Sequence, residues 1–149
     1  MARSITDDMK EPYAKYEIFK RAFDSVEFFT ESGNLIGAFT LAFSILEDRV
    51  CASVVVCGEV LNYSKIDIKQ ISKIPFGKRI KHLYAMGAIN KNLYERLEKA
   101  ANLRNELTHQ MMWRLDVFHV SHIEQFRSLI NELKTVQRKH VKLGKEKEI

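Results

Sequence analysis

Arg104, Asn105 and His109 stand together in the stretch RNELTH. A guanidinium is permanently charged, and its planar fork of donors matches the oxygens of a phosphate. An imidazole titrates near neutrality, so it can take or give a proton during a reaction. Together such groups could meet an anion and move a proton. The stretch lies inside KNLYERLEKAANLRNELTHQMMW, which reads as a helix. At ~100° per residue, Leu93, Leu97, Ala100 and Leu107 share one stripe of that helix, with Arg104 in its middle. Asn105 and His109 lie on a neighbouring face, one turn apart. A cation on a core-facing stripe is costly unless it is paired or reaches water. Glu47 or Asp48, in the middle of an earlier helix, could supply a carboxylate. Alternatively the stripe faces a polar cleft and Arg104 aims at an anion, and an acid could hold it there. A lone His109 near a helix end is, on spacing alone, an ordinary surface residue that favours the helix dipole.

The elements that must position these residues are punctuated by capping signals. Pro12 suits a first helical turn, and a helix from there runs to ESGN, where Gly33 stops it. Its apolar positions Ile18, Ala22, Val26 and Phe29 follow helical spacing. Asn34 caps a second, long helix from Leu35 to about Leu61. Its SVVV segment has strand propensity, but no turn signal precedes it. Apolar residues all round this helix imply burial on several sides, in a bundle centre or a dimer interface. NYSKIDIKQISKIPFG reads as a loop or short helical turn. GKRIKHLYAMG reads as a third helix ended by Gly87, and Asn90 caps a fourth over residues 91 to about 110. SHIE, with Ser121 and Glu124 at capping-box spacing, opens a last helix to about Leu143. Residues 140–149 are left as a flexible basic tail. The expectation is one all-α domain, a bundle of about five helices across residues 1–149.

Composition agrees. The chain has 149 residues, 46% hydrophobic and 29% charged, with six glycines and only two prolines. That favours one soluble helical core over a disordered or strand-rich chain. The net charge of +5 suits an anionic partner such as RNA, although part of the excess sits in the tail KTVQRKHVKLGKEKEI, more simply a solvated helix end. Cys51 and Cys57 fall on different helix faces, too far apart to bridge, and with no secretory signal at the N-terminus they suggest reduced thiols in a cytoplasm. The apolar run VCASVVVCGEVL is interrupted by Glu59 and too short to span a membrane.

Other residues carry weaker signals. His82, His119, His122 and His140 have no acid or thiol at ligand spacing, so no metal or cofactor is expected. GKR at 77–79 lacks the second glycine of a phosphate loop. Lys78, Arg79 and Lys81 form a solvated face that could also track an RNA backbone. Trp113 and Phe118 are core residues or base-stacking ones. Arg114 is placed to touch phosphate.

RNELTH resembles the Arg, four residues, His motif of the HEPN superfamily, in its form with Asn after the Arg. FGKRIKHLYAMGAINKNLYERLEKAANLRNELTH is similar to that superfamily's short helix, turn and motif-bearing helix. GAFTLAFSILEDRVCASVVV resembles its long helix with an acidic position. The resemblance covers about residues 34–115. It implies a helical homodimer acting as a metal-independent endoribonuclease, in toxin–antitoxin or phage-defence systems, with an antitoxin or other regulatory protein as a further partner. By position, Arg104 and His109 would be the catalytic pair, Asn105 their support, and Glu47 or Asp48 the orienting acid. A two-fold site would offer one imidazole for each proton transfer as the 2′-hydroxyl attacks, leaving a 2′,3′-cyclic phosphate. A tyrosine that commonly follows the motif in antitoxin-paired members is Met111 here, a departure at the position their partners modify. RIKHLYAMGAINKNLYE with LRNELTH is also similar to the mannitol operon repressor family, which implies the alternative of a non-catalytic regulator or interaction module. Asn105 is the feature that favours the nuclease.

Overall fold

Capping chemistry divides the chain where the spacing requires. In a computed structural model, which describes residues 11–110 and 115–147, five helices follow one another among the described residues. They are α1 (Glu11–Glu31), α2 (Leu35–Val60), α3 (Phe76–Ala85), α4 (Lys91–Gln110) and α5 (Val120–Lys147). Short 3-10 turns span Ile68–Lys73 and Leu115–Val117, and no strand occurs among the described residues. Gly33 adopts φ +82°, a left-handed turn that ends α1 and lets Asn34 N–H reach the Phe29 carbonyl at 2.8 Å. Asn34 then caps α2, its side-chain oxygen accepting from Gly37 N–H at 3.0 Å. Asn90 accepts from Leu93 N–H at 2.8 Å and starts α4 in the same way.

α2 is the central element. Its most extensive partner is α5, followed by α1 and α3, while α4 closes the bundle against α3 and α5. The all-round apolar character of α2 is thus explained within one chain, and SVVV is helical. Five aromatic rings run through the middle of the core. Phe118 and Phe126 meet Phe39 at 4.9 and 5.0 Å, and Phe126 and Phe76 each meet Phe43 at 5.3 Å. On α1 the buried stripe centres on Val26 and takes in Phe19 and Phe23. Ile18 falls at its edge and is 59% exposed, contrary to the sequence expectation.

Polar ties connect the helices. Arg96 of α4 makes a two-pronged ion pair with Glu132 of α5 and also donates to Asn92 at 2.8 Å. Arg127 of α5 reaches Glu27 of α1 at 3.0 Å. The Tyr63 hydroxyl and His82 Nδ1, 2.7 Å apart, tie the segment after α2 to α3.

Two departures concern α5. Ser121 lies inside the helix, because α5 begins one residue earlier, at Val120. His119 occupies the capping position, and its backbone N–H donates to His122 Nδ1 at 3.2 Å. His122 thus does what the glutamate of a capping box would do, which leaves Glu124 outside the cap. The helix also continues through the expected tail to Lys147. Gly144 lies close to the end of α2 there: a Cβ would stand 3.1 Å from Val60 Cγ2, a tight contact that the valine side chain would have to yield to by a few tenths of an ångström. Lys147 Nζ then donates to the Val60 carbonyl at 3.3 Å, a cation at a helix C-terminus.

Cys51 is half-buried and Cys57 buried, and both are free thiols. Burial pushes Cys57 up to about 11, so neither its position nor its charge state suits a nucleophile. No helix among the described residues is long and apolar enough to cross a membrane.

The aromatic core sets a stability expectation. Phe126 is fully buried between Phe39 and Phe43. Phe126→Ala should cost about 3–5 kcal/mol in a urea titration, since the cavity cannot collapse between fixed rings.

Candidate functional site

The stripe on α4 forms as its spacing requires: Leu93, Leu97, Ala100 and Leu107 are buried, with Arg104 half-buried among them. The Arg104 guanidinium lies over the Phe43 ring, 4.7 Å from its centroid. Its Nε is buried and makes no hydrogen bond. A cation over an aromatic face gains about 0.5–2 kcal/mol, while a buried donor without an acceptor costs about 1–3 kcal/mol. Stacking therefore holds the group in place without satisfying it.

The carboxylates expected to orient Arg104 do not pair with it. Among the described residues, no acid lies within ion-pair distance of its guanidinium. Glu47 sits one turn beyond Phe43 on α2, half-buried; burial first, then Asp48 and Glu47 against an opposing Arg79, push the Cys51 thiol up. Asp48 is exposed and lines a cleft on the other side of α2, beside Arg49. At ~100° per residue, four residues leave Glu47 about 40° from Phe43 while five turn Asp48 about 140° away, which is why the two acids part company.

Asn105 and His109 are exposed on the neighbouring face of α4, His109 in the last turn. Arg114, Trp113 and Met111 lie outside the described residues.

Of the basic residues expected to meet RNA, Lys78 is exposed on the first turn of α3. Arg79 is used by the fold: its Nε donates to the Ile71 carbonyl at 3.2 Å and an Nη to the Ser72 carbonyl at 3.0 Å, closing the 3-10 turn. Phe118 belongs to the core, 4% exposed, and stacks no ligand. His119 and His122 are 5.3 Å apart, but no group of three metal-ligating side chains occurs among the described residues. Burial and, second, the nearby His119 hold His122 below its ordinary value, in keeping with a neutral Nδ1 that accepts at the start of α5.

The sequence reading missed a second arginine. Arg49 of α2 lies over Phe19 at 4.7 Å and donates to Gln137 Oε1 at 3.2 Å, and its Nε is buried without a partner. The available signal was the spacing of Lys134, Arg138 and Lys142, which puts three cations of the supposed tail on one helix face. No family model, curated protein or solved structure matches this chain.

Two outcomes follow. Arg104→Met keeps the bulk and removes the unpaired charge, so its midpoint of urea unfolding should correspond to a stability within about 1 kcal/mol of the wild type, or higher. A loss of several kcal/mol would reveal a buried partner. The His122 cap should be sensitive to acid. A folded-state pKa held below the ordinary 6.5 contributes stability above that value and loses it as pH falls. Melting curves from neutral pH to about 5 should therefore drop more steeply for the wild type than for His122→Gln, which keeps an acceptor but does not titrate.

Proposed function

We propose that the chain is a metal-independent endoribonuclease whose site is built on Arg104, Asn105 and His109. The observation that carries this reading is the state of Arg104. It lies over Phe43, has no carboxylate partner among the described residues, and adjoins an exposed asparagine and imidazole. A structural arginine on a core stripe would be expected to have its acid. An arginine waiting for a phosphate would not.

In this proposal the guanidinium stabilises charge on the phosphoryl oxygens as the 2′-hydroxyl attacks phosphorus. His109 removes the 2′ proton or protonates the leaving 5′ oxygen. One chain offers one imidazole in an open setting, so the proposal includes a homodimer that brings two motifs to one phosphodiester. Placement in a toxin or phage-defence system, with a regulatory partner, belongs to the same reading and rests on the resemblance. The alternative is a non-catalytic module of similar fold. The exposure of Asn105 and His109 on the outer face of α4 is compatible with that alternative as well.

The test is incubation of the purified protein with total RNA in EDTA. Cleavage should leave 2′,3′-cyclic phosphate ends, and Arg104→Met and His109→Ala should each lower the rate on the order of 10²–10⁴-fold while RNA binding by His109→Ala persists. Intact RNA at every protein concentration would reject the nuclease and leave the module.

A further inference from the structure

The basic residues of this chain are not spread evenly. A cleft of about 890 Å³ opens between α1, α2 and α5, on the side of α2 away from Arg104. Six cations line it: Lys20, Arg49, Lys134, Arg138, Lys142 and Lys145. Only two carboxylates face them, Asp24 and Asp48. The local excess of positive charge approaches the net +5 of the whole chain.

Spacing explains the concentration. Lys134, Arg138 and Lys142 recur every four residues, so α5 presents them as one stripe. Arg49 comes from α2 and Lys20 from α1. Two of the cations are laid down on phenylalanine rings, Arg49 on Phe19 at 4.7 Å and Lys134 on Phe23 at 4.8 Å. Like charges brought this close oppose folding. Burial first, then Arg49 and Arg138, hold Lys134 below its ordinary value, and burial does the same to Arg49, with Asp48 opposing and Arg138 adding. The buried Nε of Arg49 has no acceptor. Arrangements that cost stability in this way mark functional sites more often than structural ones.

We propose that this cleft binds a compact polyanion carrying several phosphate groups. The volume falls in the range of small-ligand pockets, about 300–1,000 Å³. The cations come from three helices and border one groove as a compact cluster, whereas an extended nucleic-acid backbone is followed by charges set out in a line. Arg49 and Lys134 each take one face of these two rings, a face on which a base would otherwise stack. An anion here supplies an acceptor to Arg49 and relieves the repulsion among Arg49, Lys134 and Arg138. The site lies across α2 from the α4 motif and does not rest on the nuclease proposal.

Calorimetric titration and thermal melts of the full chain with inorganic tripolyphosphate, orthophosphate and a single-stranded RNA oligonucleotide test it. Tripolyphosphate should raise Tm and bind at least about tenfold more tightly than orthophosphate. Arg138→Gln with Lys142→Gln, both exposed positions, should weaken tripolyphosphate about tenfold or more. Lys65→Gln with Lys73→Gln removes the same charge elsewhere and should leave binding unchanged. Lys134→Met should melt no lower than the wild type without ligand, yet lose most of the tripolyphosphate shift. The proposal is overturned by the absence of heat and of any Tm shift. It is equally overturned by equal weakening in the two double variants, or by RNA binding more tightly than tripolyphosphate and losing affinity when Arg138 and Lys142 are replaced.

Discussion

The contact between α2 and α5 through Phe39, Phe43 and Phe126 is the constraint on which the rest of the molecule depends. These rings interlock at centroid distances near 5 Å, the spacing at which edge and tilted contacts add to the burial of apolar area. They fix the rotation of α2 about its own axis. Once that rotation is set, Phe43 must offer a face to α4, and Arg104 rests on it. The same rotation turns Arg49 to the opposite side, towards Phe19 and α5.

α2 therefore carries a related device on each of two faces: an arginine spread over a phenylalanine, with a buried Nε that has no acceptor. Stacking suits this purpose because the ring holds the plane of the guanidinium while leaving its edge donors uncommitted. A carboxylate would hold it more strongly but would occupy the fork. The surroundings differ. On the α4 side the cation adjoins an exposed asparagine and histidine. On the α5 side many cations crowd one concavity.

The sequence made the helices legible because their ends are written in short-range chemistry. Gly33, Asn34, Gly87 and Asn90 each act within a few residues, so spacing alone locates them. The stripe through Leu93 and Leu107 was legible for the same reason, including the place of Arg104 on it. What was not legible depends on which partner each face meets. Glu47 and Asp48 are neighbours in sequence but diverge on the helix. Arg79 was free to be a surface cation until the carbonyls of Ile71 and Ser72 were folded over it. The cap of α5 was misplaced by two residues because a histidine performed the glutamate's part in it. The basic cleft was missed because half of its charges belong to a segment that composition alone describes as a solvated end.

Gly144 has an effect out of proportion to its size. Glycine within a helix weakens it by roughly 0.5–1 kcal/mol relative to alanine, and here the weakness falls near the terminus of a 28-residue rod. The missing methyl group lets the rod lie flush against Val60, and the neighbouring ammonium of Lys147 latches the two tips together. A larger residue would act as a shim, prising the tips apart by a few tenths of an ångström. Lys145, next in the chain, borders the charged concavity, so the seating of these two tips bears on that end of the cleft.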